Sequence, residues 1–142
     1  MNRPERRLVY LLRALSAVTL AALPFAFLPR GWLAELHAAM GLGAFPEGPV
    51  PEYLARSLSL FYALLGGLLG LLSTDVRRYA PVIAYLAWAG IGFAAVIAGI
   101  DWLVGLPLWW ILGEGPVVAL WCLGLLWCQR RIRPDGSVSL LG

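Results

Sequence analysis

Four long apolar blocks, separated by short polar segments, dominate the pattern of this chain. Each block is about 20 residues long, which is the length that a helix needs to cross the hydrocarbon core of a bilayer. The blocks cover residues 8–28, 53–72, 80–100 and 105–128. The pattern therefore predicts an all-α membrane protein, an antiparallel four-transmembrane-helix bundle in one domain over residues 1–133, with a flexible tail at 134–142.

The connection between the first two blocks has a pattern of its own. Apolar side chains recur at helical spacing from Trp32 to Met40, which predicts a short interfacial helix within residues 32–45. The next segment, PEGPVPE, contains three prolines. Because proline breaks helix interiors, this segment is predicted to be a rigid extended turn before the second span.

Small residues mark the faces on which helices are expected to pack closely. The second span contains a GxxxG motif from Gly66 to Gly70. The third span has small residues spaced by three and four, which places them along one seam: Ala84, Ala87, Gly90, Ala94 and Ala98. Both patterns permit close approach of neighbouring helices, so the third span is predicted to lie against at least one of them.

Charge sets the expected orientation. Every basic residue is arginine, and the head, the second loop and the tail contain Arg3, Arg6, Arg7, Arg77, Arg78, Arg130, Arg131 and Arg133. The first and third loops hold only Arg30. The positive-inside rule then places both termini in the cytoplasm, with the protein in a bacterial inner membrane.

These arginines flank apolar blocks, which argues against nucleic-acid binding. A signal peptide within residues 1–28 is the alternative, but that apolar run is long and three spans follow it.

Glu114 is the sharpest chemical feature, because it lies inside the fourth span and Pro116 follows it. An acid at membrane depth is costly and needs a partner or a wet cavity. It is interpreted either as a ligand- or proton-binding carboxylate or as the structural partner of Arg56. We predict a coupled Arg56–Glu114 pair, in which removal of one charge leaves the other buried and unpaired.

Three further residues complete the candidate ligand-binding set with Glu114: Arg56, Tyr62 and Asp101. Asp101 has a second interpretation as the cap of the helix that follows it. No catalytic residue, metal site or cofactor is predicted. His37 is the only histidine, and Cys122 and Cys128 lie six apart on one predicted helix, where they are expected to be packing residues.

Parts of the chain resemble a group of short bacterial four-span membrane proteins with no assigned activity. The resemblance rests on FPEGPVPEYLARSLSLFYALLGG, DVRRYAPVI and GIDWLVGLPLWWILGEGP, and covers most of residues 30–118. It implies the fold but transfers no functional residue. In size and span count the chain is also similar to DoxX-like proteins, to small multidrug transporters and to the membrane glutathione-transferase family. The transporters keep an essential acid in the first span, where this chain has Arg13.

Three functions remain open at this point. The favoured one is a non-enzymatic accessory protein that lies in the lipid bilayer and binds a second copy of itself or another membrane protein. The second is a small-molecule carrier or ligand-binding protein that uses Arg56, Asp101 and Glu114. The third is a membrane enzyme acting on a lipid or quinone-like substrate.

Overall fold

A computed structural model of the chain describes residues 3–132, and this part is helical and contains no strand. The predicted tail at 134–142 lies outside the described residues. The elements in chain order are α1 (Arg3–Leu20), a 3₁₀ helix (Leu23–Phe27), α2 (Arg30–Ala39), α3 (Pro49–Leu72), α4 (Ala80–Leu103), α5 (Leu108–Gly113) and α6 (Gly115–Arg130).

Four segments are long enough and apolar enough to cross a bilayer. They are Arg3–Phe27, Pro49–Leu72, Ala80–Leu103 and Leu108–Arg130. At a rise of about 1.5 Å per residue, each helical segment of this length exceeds the roughly 30 Å of a hydrocarbon core. The all-helical class and the number of candidate spans are confirmed, and the chain fits a small multi-pass membrane protein.

The proline-rich entrance to the second span differs from its prediction. The segment at 46–52 was expected to be non-helical throughout, but α3 begins at Pro49, directly after Gly48 with a φ of 99°. The expectation was wrong for Pro49 and Pro51 because both lie in the first helical turn. There the backbone N–H groups have no partner within the helix, so the missing N–H of proline costs little.

The fourth candidate span is broken at Glu114. Helix α5 ends at Gly113 and α6 starts at Gly115, and the residue between them has φ −95° and ψ −79°. Pro116 lies in the first turn of α6 and has no N–H to offer to the carbonyl of Leu112. The candidate acid therefore sits at a discontinuity between two helices.

The main contacts between the long helices run in the order α3, α1, α6, α4. The best-buried side chains come from the start of α1, the end of α3, the start of α4 and the end of α6, and the fully buried ones are Leu8, Leu12 and Ile83. We call this cluster the arginine-side core, because the arginine-rich head and the Arg77–Arg78 loop lie beside it. The opposite ends of the helices carry the candidate site residues.

Glycine and alanine allow the closest helix contacts. A Cβ atom added at Gly90 would lie 2.5 Å from the Cys122 sulfur of α6, and one added at Gly115 would lie 2.8 Å from the Ala94 carbonyl oxygen of α4. The prediction that the small-residue seam of the third span lies against a close neighbour is confirmed, and the neighbour is α6. The GxxxG face of α3 packs on α1, where the Ser16 hydroxyl donates a 2.7 Å hydrogen bond to the Gly66 carbonyl.

Helix α2 is shorter than the predicted interfacial segment. It ends at Ala39, and Gly41 and Gly43 follow with φ angles of 74° and 83°, a backbone region that other residues rarely adopt. Trp32 is exposed while Leu33 is buried, so the helix has one face on the protein and one face free. Its position at a membrane surface stays a prediction.

Candidate functional site

Arg56 is held entirely by groups at the ends of the first two candidate spans. Its guanidinium donates to the Glu52 carboxylate, one turn earlier on α3, at 2.6 and 3.1 Å. It also donates to the carbonyl oxygens of Ala26 and Leu28, both at 3.1 Å. These carbonyls lie at the end of the 3₁₀ helix, where helical partners are missing. Arg56 therefore fastens the end of the first span to the start of the second.

Arg30 extends this arrangement toward the proline-rich turn. It lies 3.7 Å from the Glu52 carboxylate and donates to the carbonyl oxygens of Pro46 and Gly48 at 3.2 and 3.1 Å. We call Arg30, Glu52 and Arg56 the arginine clamp. Its donors are directed at backbone and carboxylate oxygens of this chain, which is the arrangement of a structural fastening.

Glu114 has a partner that the sequence analysis did not consider. The Trp110 indole N–H, one turn earlier on α5, donates a 2.6 Å hydrogen bond to a Glu114 carboxylate oxygen. Glu114 itself occupies the junction between α5 and α6, but its side chain makes no capping hydrogen bond to α6. The indole supplies part of the compensation that this acid requires.

The predicted Arg56–Glu114 pair is wrong. Among the ion pairs of residues 3–132, Arg56 pairs with Glu52 and none joins it to Glu114. The main contacts of α3 are with α1 and the 3₁₀ helix, whereas those of α6 are with α4 and α1, so Arg56 and Glu114 lie on helices that pack mainly on other elements.

Tyr62 lies within two turns of Arg56 on α3, and its side chain is partly buried. Among the hydrogen bonds of residues 3–132, none joins its hydroxyl to Arg56, Asp101 or Glu114. The candidate residues therefore do not form one hydrogen-bonded cluster, and Arg56 stays in the arginine clamp.

Asp101 occupies the last turn of α4 and is only 3% exposed. It does not cap the following helix, because α5 begins after Pro107 and receives no side-chain cap. Its backbone carbonyl closes the intervening turn by accepting the N–H of Leu106 at 3.0 Å. Within the described residues, the carboxylate oxygen Oδ2 is buried without a hydrogen-bond partner.

An ion pair between a buried glutamate and a loop arginine, at the other end of the helices, was missed by the sequence analysis. Glu5 on α1 is 4% exposed, and the Arg77 guanidinium from the α3–α4 loop donates to its carboxylate at 2.6 Å. The two residues are 72 positions apart, and no spacing rule connects such a pair. The available signal was weak: Glu5 is the one acid in the arginine-rich head.

Neither a metal site nor a disulfide is built from residues 3–132. That range contains no group of three or more potential metal ligands, and Cys122 and Cys128 are buried free thiols. The His37 ring forms a hydrogen bond with the Gly43 carbonyl at 3.1 Å and stacks edge-on against Phe45, which holds the loop after α2.

Comparisons of the chain with protein-family models, with curated proteins and with solved structures found no match.

Proposed function

We propose that this chain is a non-enzymatic accessory protein of a bacterial inner membrane, built as an antiparallel bundle of four spans, that acts by binding a membrane-protein partner. The observation that carries the proposal is the use of its polar side chains. Arg56 donates its hydrogen bonds to Glu52 and to two carbonyl oxygens, and Glu114 accepts a hydrogen bond from the Trp110 indole. These residues hold the fold together, whereas a carrier or an enzyme would direct them at a substrate.

The outward faces of α3 and α4 support the partner-binding role. Each of these helices has one long helix as its main neighbour, α1 for α3 and α6 for α4. Large apolar side chains point outward from both, including Phe61 on α3 and Tyr85 on α4, which are 67% and 70% exposed. In a membrane such faces are covered by lipid or by another protein.

Photo-crosslinking in native membranes tests this role. A benzophenone amino acid is placed singly at Tyr85 and at Phe61, two equally exposed positions on different helices. We expect a discrete protein adduct at one of the two positions and lipid adducts at the other. Mass spectrometry should identify the same crosslinked partner in every preparation, either one other membrane protein or a second copy of this chain. Lipid adducts alone at both positions would contradict a partner-binding role.

The proposed orientation has its own test. The arginine distribution supports cytoplasmic termini, because the head and the Arg77–Arg78 loop lie beside one another at the arginine-side core. Alkaline phosphatase fused at Gly43 is expected to be active, and a fusion at Gly142 inactive. Activity at Gly142 with none at Gly43 would reverse the orientation.

A ligand-binding role is the second candidate, favoured by two features of the end opposite the arginine-side core. Asp101 has a buried carboxylate oxygen with no partner in residues 3–132, and the fourth span is interrupted at Glu114. Interrupted spans form binding sites in many membrane transporters. Native mass spectrometry of the purified protein would favour this role if a bound small molecule were present and were lost in Asp101→Asn.

A further inference from the structure

A groove lies between α1 and the segment that joins α3 to α4, next to the ion pair between Glu5 and Arg77. Its volume is about 270 Å³, close to the lower limit of about 300 Å³ for small-molecule sites. Arg6, Tyr10 and Arg13 line one wall, and Ser73 and Arg77 line the other. We call it the α1–loop groove. It shares no residue with the arginine clamp and includes neither Asp101 nor Glu114.

The α1 wall of the groove repeats at helical spacing. Arg6, Tyr10 and Arg13 are separated by four and three residues, which places their side chains along one face of the helix. Val9 on α1 and Val76 on the loop add apolar surface to the lining. The groove therefore combines a stripe of two guanidinium groups and a phenol with an apolar floor.

The charges of the groove are not balanced. Glu5 is occupied by Arg77, and the Asp75 carboxylate accepts the backbone N–H of Arg78 at 3.0 Å. Arg13 makes a long 3.5 Å hydrogen bond to the Ser73 hydroxyl oxygen, and no ion pair within residues 3–132 includes Arg13 or Arg6. Glu5 is neutralised by Arg77, so the guanidinium groups of Arg6 and Arg13 face Asp75 as the one remaining carboxylate of the lining.

Arg13 is the group with the greatest need for an anion. It lies five residues, or about 7 Å along the helix, inside the first apolar block, which starts at residue 8. An arginine at that depth is normally paired or reaches toward the interface. The Ser73 hydroxyl oxygen holds its guanidinium at the groove, while the hydroxyl proton goes to the Gly70 carbonyl at 2.7 Å. Ser73 thereby orients Arg13 without neutralising it.

We propose that the α1–loop groove binds a phosphate ester anion, with Arg6 and Arg13 supplying the charge and the Tyr10 phenol a hydrogen bond. Arginine suits this ligand because its planar fork of donors matches two oxygens of a phosphate group. The same chemistry is offered by the headgroup of an anionic phospholipid and by a soluble phosphate. The apolar floor and the position at the end of a span favour the phospholipid.

The test is a native mass spectrometry titration of the full chain in detergent with phosphatidylglycerol, phosphatidylcholine or inorganic phosphate. For the unaltered protein we expect phosphatidylglycerol to bind at least tenfold more tightly than phosphatidylcholine. Arg13→Gln should remove most of that preference, and Tyr10→Phe should reduce it by a smaller factor. Arg78→Gln is the matched control, because it also removes one arginine charge beside the groove, from the loop between α3 and α4, but Arg78 lies over the Tyr79 ring and does not line the groove.

The outcomes distinguish a phospholipid headgroup from a soluble phosphate, and a specific site from general attraction to a basic surface. Inorganic phosphate that binds and displaces phosphatidylglycerol, in an Arg13-dependent way, would support the site and identify a soluble phosphate as a competing ligand. Equal losses in Arg13→Gln and Arg78→Gln would overturn the proposal, since they indicate general attraction to the basic surface. An absence of preference in the unaltered protein would also overturn it. Arg6→Gln alters an exposed residue and gives the same readout if Arg13→Gln does not fold.

Discussion

Gly66→Leu is expected to destabilise the protein by about 3 kcal/mol, while Gly67→Leu leaves its stability nearly unchanged. A Cβ atom at Gly66 would lie 2.7 Å from the Thr19 hydroxyl oxygen, 2.8 Å from a Leu20 side-chain carbon and 2.9 Å from the Leu20 backbone nitrogen. Backbone cannot move aside as a flexible side chain does, so α1 and α3 must separate.

Separation of these helices would also disrupt the 2.7 Å hydrogen bond from Ser16 to the Gly66 carbonyl. The neighbouring Gly67 is the matched control, because an added Cβ atom there meets nothing within 4 Å. The free energy of unfolding, measured by titration with dodecyl sulfate and followed by circular dichroism, gives the comparison. Equal stability of the two variants would show that α1 and α3 do not approach at Gly66.

Arg56→Ala should cost about 2–3 kcal/mol, because it removes hydrogen bonds to a carboxylate and to two carbonyl oxygens that then lose their donor. The figure is moderated by solvent, since the side chains of Arg56 and Glu52 are 35% and 27% exposed. Arg30→Ala is the control within the same clamp. Its contact with Glu52 is longer, at 3.7 Å, and its side chain more exposed, so a loss below about 1 kcal/mol is expected.

The double variant Arg56→Ala with Glu114→Gln distinguishes the observed contacts from the pair that the sequence suggested. Since Arg56 belongs to the arginine clamp and Glu114 bonds to Trp110, the two losses should add to within about 0.5 kcal/mol. Recovery of stability in the double variant would show that the two charges are coupled after all. The same dodecyl sulfate titration measures all three variants.

Features that depend on local pattern were predictable from this chain. The four spans follow from the length of the apolar blocks, and the seam along α4 follows from the spacing of Ala87, Gly90 and Ala94. Both are properties of one helix, and elementary geometry fixes them. The start of α3 was misjudged because the rule for proline in helix interiors was applied to a first turn, where it does not hold.

The sequence by itself determined that the chain is helical, where the candidate spans lie and which faces of α3 and α4 approach a neighbour closely. Only the tertiary structure decided which helix each face meets, and with it the partners of the charged residues. Arg56 donates hydrogen bonds to Glu52 and to the 3₁₀ helix, and Arg77 pairs with Glu5, which lies 72 positions away in the sequence. The physical reason is that hydrophobic periodicity specifies the depth and the face of a residue, whereas the lateral order α3, α1, α6, α4 is set by packing between helices.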